Sequence, residues 1–483
     1  MNKNDYNKAT ISGMLWKFLE RVLAQVVSLI VSVVLARILA PDDYSIVGVV
    51  TIFFTFANVF ITSGLNTALI QKKNSDIEDF STVLYTSVAV ATILYVLLFF
   101  FAPVIASIYR QDLLISIIRI MGVILIINAV KSVVCAYISN TLQFKKFFLA
   151  TLGGTILSGI VGIFMANMGF GPWALVAQQL TNSFIDTIVL LISTRVHFAL
   201  KFSFIKLKSL FHYGWKIFIA EVISVLYDEI NPLVIGLKFK PEDLSFYTKG
   251  RSFPNLINYS ISDTFSAVLF PVMSKMQDDK NSLLDYTRKF MQMSSFIVFP
   301  VMVGLLAVSD SFVRVVLTEK WMPASIYIKI FCITYMFNII QNGSLQVIRA
   351  VGRSDLILKL EITKKSSYFL VVFAFILFSN RPELLAVATI INTGIATVVN
   401  SLPSKNLIGY RFRMIISDVG KNLFASLIMG SIVYVMNYAE MPDLLLMTLQ
   451  ILVGVTSYIL INKIIKNDAF GLLVIALRKT ISK

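Results

Sequence analysis

Charge is scarce in this chain. Only 14% of its 483 residues are Asp, Glu, Lys or Arg, against about 25% in soluble chains. With 57% hydrophobic residues and a mean hydropathy of +0.78, that scarcity excludes an ordinary soluble domain. Cysteine is scarcer still. The two present, Cys135 and Cys332, fall inside apolar runs, which excludes a disulfide framework and reads as buried free thiols with nothing to say about redox compartment. The two histidines, His197 and His212, sit in a basic connecting stretch without ligand spacing, so no metal is expected. A Gly-rich phosphate loop, an HExxH pair and a Cys/His cluster are all missing, which leaves no support for an enzyme or for a cofactor. Acidic pairs at Asp42-Asp43 and Asp278-Asp279 belong to turns, where solvated charge is the ordinary explanation. A cleavable signal peptide is not expected either, because Met1 to Thr10 is short and polar and the apolar run behind it is too long.

What the chain does have is long apolar runs without alternation. In lipid the backbone finds no outside partners, so such runs must be helices. About 20 apolar residues cross a bilayer, and that length predicts fourteen spans: 12–39, 44–69, 80–105, 113–139, 147–168, 172–194, 209–236, 242–274, 286–308, 323–348, 357–378, 382–403, 412–437 and 443–465. After them, Asp468 to Lys483 reads as a surface helix.

Two stretches repeat. Trp16-Lys17 opens a helix that ends in Pro41-Asp42-Asp43-Tyr44-Ser45, and Trp215-Lys216 opens one that ends in Pro241-Glu242-Asp243-Leu244-Ser245. The near-constant offset at both ends of a helix indicates duplication. Six spans separate the copies, so both start on the same side of the membrane, as parallel repeats do. The expected architecture is an all-α membrane protein: a lobe at 1–198, a second at 199–408, two extra spans at 409–467 and a cytoplasmic tail at 468–483, with a central cavity between the lobes.

The net charge of +16 would suggest nucleic acid in a soluble chain. In a membrane chain it suggests basic cytoplasmic loops instead. With Arg37, Arg288, Lys289, Lys359, Arg413 and Lys463 at span ends counted with their adjoining loops, the N-terminus, the even-numbered loops and the tail hold 25 Lys and Arg, against 7 in the odd-numbered loops, which predicts that both termini are cytoplasmic.

Ionisable groups inside spans are costly and point to function. The acids are Glu20, Asp186, Glu221, Asp228, Glu229 and Asp263, and the deeper cations are Arg21, Arg119, Lys131, Lys249, Arg251 and Lys329. The tally is balanced, so sign alone does not name a substrate. Span 8 is the most polar, with Tyr247, Lys249, Arg251, Asn255, Asn258, Tyr259 and Asp263 around Pro254; such a helix must line water or a polar seam. Lys249 and Arg251 are two apart and do not share a face. Arginine's planar fork suits phosphate, which favours Arg21 and Arg251 as grips, although each could equally neutralise a neighbouring acid, as Arg21 could the adjacent Glu20. Span 5 carries Ala150, Gly154, Ser158, Gly162 and Ala166 four apart, a close-packing stripe.

Several stretches resemble the Wzx-type polysaccharide and O-antigen flippases of the multidrug/oligosaccharidyl-lipid/polysaccharide exporter superfamily. They are Ala36 to Tyr44 (ARILAPDDY), Ser63 to Gln71 (SGLNTALIQ), Phe101 to Tyr109 (FAPVIASIY), Gly171 to Ala174 (GPWA), Tyr213 to Lys216 (YGWK), Leu269 to Lys275 (LFPVMSK) and Ala350 to Asp355 (AVGRSD). Their order and spacing cover roughly 10–410. The sequence departs from the family at Ser45 and Ser245, where glycine is common after the acidic turn. The resemblance implies a bacterial inner-membrane protein that moves an undecaprenyl-pyrophosphate-linked oligosaccharide to the periplasmic leaflet by alternating access, with a polysaccharide polymerase and chain-length proteins as partners. Related flippases are thought to hold the pyrophosphate on their first and eighth spans, where Arg21 and Arg251 lie; Lys249, Arg119, Lys131 and Lys329 are the further cavity candidates. Proton or sodium coupling through Glu20, Asp228 or Asp263 stays open. A drug/cation antiporter of the same superfamily is the alternative; a membrane glycosyltransferase or polymerase would need a large periplasmic loop that is absent from the predicted spans.

Overall fold

The computed structural model describes residues 23–72, 75–141, 143, 145–378 and 380–471, the side chains of 262–268, 270, 271 and 354 excepted. Among the described residues the fold is helical, without a strand. Ten helices among the described residues are long and apolar enough to cross a membrane, which makes this a multi-pass membrane protein. The Cα framework divides into two compact units, Met1–Ser245 and Phe246–Lys483.

The first unit runs α1 (Leu23–Ile38), α2 (Pro41–Thr62), α3 (Leu65–Gln71), α4 (Ile77–Tyr109), α5 (Leu113–Met121), α6 (Val123–Asn140), α7 (Lys145–Asn167), α8 (Pro172–Thr194) and α9 (Phe204–Lys238). Helix α10 (Pro241–Lys275) starts at its end and continues into the second unit, followed by α11 (Lys280–Phe312), α12 (Ala324–Ala350), α13 (Ser354–Phe378), α14 (Pro382–Ile408), α15 (Phe412–Val435) and α16 (Asp443–Ile464). Helices α9, α10 and α13 are long enough to span but carry several ionisable residues each, and are not among the ten.

Local chemistry explains the starts. Proline at the first helical position wastes no donor, and α2, α8 and α14 all begin on one. The duplicated turns are built alike. Asp43 accepts from the Ala40 backbone N–H at 2.9 Å, and Asp243 accepts from that of Lys240 at 3.1 Å, so the same acid satisfies the same orphan donor ahead of α2 and α10. Neither Ser45 nor Ser245 has a positive φ, which is why glycine is dispensable there. The Ser45 hydroxyl bonds the Asp42 carbonyl at 2.7 Å, and Ser245 reaches the Pro41 carbonyl at 2.6 Å.

The stripe on α7 is buried at Ala150, Gly154, Ser158, Gly162 and Ala166, and α7 packs along α8. A Cβ on Gly154 would collide with the Asp186 carboxylate, and one on Gly162 would sit 3.0 Å from Gln178 Cβ. Helix α9 lies against α2, α3 and α4, so predicted span 7 packs with the first unit. It crosses at Gly214, whose partner Gly64 has φ +81° and separates α2 from α3; a Cβ on Gly64 would be 2.8 Å from the Gly214 carbonyl oxygen. Two of the stretches that carried the family resemblance therefore meet backbone to backbone. In the second unit α11 is central and contacts α12, α15 and α16.

One clasp lies outside the spans. Asp76 caps α4 by accepting from the Asp79 N–H at 2.8 Å, and Lys206 Nζ bridges Asp76 and Glu78 at 2.7 and 2.8 Å. The Lys206 hydrogen bond, then the Asp79 backbone N–H, pull the Asp76 carboxyl down from 3.8 to about 2. Its two carboxylate partners hold Lys206 above its usual value of 10.5. A lowered carboxyl stabilises fully above its unfolded pKa and loses that contribution as pH falls toward the folded one; a raised lysine does so below its own unfolded pKa. The clasp is therefore at full strength from about pH 4 to about pH 10. The difference in unfolding temperature between the natural chain and Lys206→Met should be flat from about pH 5 to 9 and shrink below about pH 4. As both partners are solvated, it should also shrink with salt; a difference that grows on acidification would contradict this assignment.

Candidate functional site

Polar chemistry inside the helices gathers separately in each unit. In the first, α2, α6 and α8 line a half-open cavity of about 320 Å³. Helix α2 contributes Thr51, Thr55 and Asn58, α6 contributes Asn128, and α8 contributes Gln178, Gln179, Asn182 and Ser183, with Phe54 and Ile124 as its apolar walls. No charged side chain lines it. Asn128 Nδ2 donates to Asn58 Oδ1 at 3.1 Å, and Asn182 Nδ2 donates to Ser158 Oγ at 3.3 Å. Three residues on from Asn128 and four on from Asn182, on the same helix faces, Lys131 Nζ meets Asp186 Oδ2 at 2.6 Å, with Asp186 nearly inaccessible. The ion pair closes one end of the polar row.

In the second unit the focus is α10. Tyr247 lies edge-on to Tyr327 and Phe331 with ring centroids 5.7 and 5.2 Å apart. Gly250 lets α12 approach closely, since a Cβ there would collide with Tyr327 Cβ. Lys249 is 6% exposed and its ammonium sits 5.7 Å from the Trp321 ring centre, a cation–π placement. Two residues on, Arg251 is half-buried and its Nε–H points to the Tyr335 hydroxyl at 3.4 Å. The two cations thus take different surroundings, as their spacing requires: one is packed on an indole, the other is half-buried beside the Tyr335 hydroxyl. Lys329 on α12 pairs with Asp310 at 2.9 Å.

The remaining candidates scatter. Arg119 on α5 stacks over Phe99 at 4.4 Å and donates to its carbonyl at 3.5 Å. Asp228 is exposed on α9. Glu20, Arg21 and the Asp263 side chain lie outside the described residues. Of the named cations, Lys131 and Lys329 pair with acids, Lys249 packs on Trp321 and Arg251 reaches Tyr335. The cavity does not stand out in the sequence because its lining carries no charge; the available signal is the run Gln178, Gln179, Asn182 and Ser183 on one side of α8.

These features define a multi-pass helical membrane protein that keeps polar and cationic groups inside its bundles. A profile described as "Polysaccharide biosynthesis protein" matches residues 34–326, more than half of the chain. The chain belongs to that family, which bears out the resemblance to the Wzx-type flippases. It is 23% identical over 412 residues to the teichuronic acid biosynthesis protein TuaB of Bacillus subtilis (strain 168), covering 85% of this chain and 84% of that one. Its fold is similar to a structure described as the lipid II flippase MurJ in an inward closed conformation, with a TM-score of 0.75, 16% identity, and coverage of 94% of this chain and 99% of that one. An inward-facing multidrug resistance MATE family transporter of the MOP superfamily matches with a TM-score of 0.64 and 14% identity over 80% of this chain and 94% of that one.

Proposed function

We propose that this protein carries an undecaprenyl-pyrophosphate-linked oligosaccharide from the cytoplasmic to the periplasmic leaflet of a bacterial inner membrane by alternating access. Fourteen spans in two six-helix lobes plus two extra helices, with both termini cytoplasmic, form the proposed frame. The observation that carries this reading is family membership in polysaccharide biosynthesis, in a chain whose fold is similar to that of a protein named a lipid II flippase. The cargo is a dianionic pyrophosphate bearing sugars, and its polyprenyl tail stays in lipid. Arg251 offers the planar donor fork that a phosphate takes, with Arg21 on span 1 as its proposed counterpart and Lys249 and Arg119 adding positive field; Lys131 and Lys329, each paired with an acid, add little net charge.

The alternative, a drug/cation antiporter, draws on the likeness to the multidrug transporter. Lys249 and Arg251 on α10 count against a cationic cargo.

In spheroplasts, depleting the protein should leave lipid-linked sugar protected from a membrane-impermeant lectin, and restoring it should expose that sugar. Unchanged exposure, together with altered resistance to cationic dyes, would favour the antiporter.

A further inference from the structure

The uncharged cavity of the first unit has no role in gripping a phosphate, because none of its lining side chains is cationic. Amide and hydroxyl groups inside a helix bundle are costly unless they find partners. Some here do, within the row Asn58–Asn128 and Asn182–Ser158. Gln178 and Gln179 are different. Both line the cavity, and neither side chain has a hydrogen-bond partner among the described residues. Two adjacent, half-buried glutamines of α8 therefore present donors and acceptors to this half-open cavity.

We propose that this cavity is the sugar-reading subsite, taking one neutral sugar unit of the cargo; the proposal rests on the flippase reading above. Three observations carry it. A carboxamide both donates and accepts, which matches a sugar hydroxyl, also donor and acceptor, better than it matches an anion or a cation. The walls pair those amides with the Phe54 ring and Ile124, an apolar surface for the C–H face of a pyranose. Ligand pockets run from about 300 to 1,000 Å³, so about 320 Å³ suits a single unit rather than a whole repeat. The cavity thereby divides labour with the cations: they hold what every such cargo shares, and the amides meet what differs between cargoes.

The test uses the full-length protein in detergent and in proteoliposomes. Saturation-transfer NMR with methyl β-D-galactopyranoside, methyl α-D-glucopyranoside and N-acetylglucosamine should show transfer to ring protons of at least one of them. Gln179→Leu should weaken that binding, and the gentler Ser183→Ala should weaken it by about 2- to 10-fold, the worth of one neutral hydrogen bond, with unfolding temperatures kept near that of the natural chain. Equal transfer in natural and substituted protein, or none to any sugar, would overturn the subsite. So would variants that alter the sodium dependence of transport and leave the preference among sugars untouched, since the amides would then be ligands for an ion. A natural chain that binds these sugars but never changes the leaflet of lipid-linked sugar would sink the flippase reading and leave the cavity's ligand class standing. A chain that flips its cargo while the cavity variants keep the same cargo preference would do the reverse.

Discussion

Arg251→Ala should cut outward movement of lipid-linked oligosaccharide by on the order of 10- to 100-fold, the worth of one charge-assisted hydrogen bond of about 1.5–3 kcal/mol. The guanidinium is half-buried on α10 with its Nε–H directed at the Tyr335 hydroxyl, and its planar fork has the geometry to close on two phosphate oxygens. Arg251→Lys keeps the charge but loses that geometry and should fall between the two. Tyr335→Phe tells positioning from binding. It removes the hydroxyl that orients the arginine while leaving the cation in place, and should cost less than Arg251→Ala. The measurement is lectin access to lipid-linked sugar in spheroplasts, with protein amount matched. Full activity of Arg251→Ala, or equal losses in Arg251→Ala and Tyr335→Phe, would remove Arg251 from the grip.

Asp418→Ala should be the most destabilising single change in the second unit. Asp418 is 1% exposed at its side chain and accepts from Arg288 Nη2 and Nε at 2.9 and 3.0 Å, from Gln292 at 2.9 Å and from Tyr410 at 3.0 Å. That one carboxylate ties α15, in the pair of helices beyond the repeat, to α11. Truncating one side of a buried charge pair costs about 3–5 kcal/mol. Arg288 is 38% exposed and can rehydrate, which puts the loss at the lower end, about 3 kcal/mol. The neighbouring bonds of Asn422 to Ser295 and to the Gln292 carbonyl, at 2.7 and 2.8 Å, survive and limit the damage. Thermal unfolding of the purified protein reads this out: Asp418→Ala well below the natural chain, Asp418→Asn between them. An unchanged midpoint for Asp418→Ala would show the cluster to be solvated and idle.

The fold was legible where its cause is local or periodic. The Pro-acid-Asp turns announced themselves by spacing, and Asp43 and Asp243 do the same capping in both. The four-residue stripe on α7 is legible for the same reason, because a helix brings those positions to one face. Pairings between distant helices were not legible. Lys131 and Asp186 are 55 residues apart, and Arg288 and Asp418 are 130 apart; nothing in a single sequence says which cation will find which acid. The candidate site was half-readable. Span 8 stood out through its cations, whereas Asn58, Asn128, Gln178 and Gln179 carry no charge and come together only when three helices do. Among the described residues ten helices stand out by apolarity alone, while α9, α10 and α13 are long enough but more polar.

The crossing of Gly64 with Gly214 has a mechanical consequence. Main chain rests on main chain there, so no knob of one helix locks into a hole of the other. Such a contact sets the spacing of the rods: α9 lies nearer the α2–α3 break than any pair of side chains would allow. Any side chain added at either glycine would pry the rods apart and part the Phe60 and Phe218 rings, whose centroids lie 5.0 Å apart beside it.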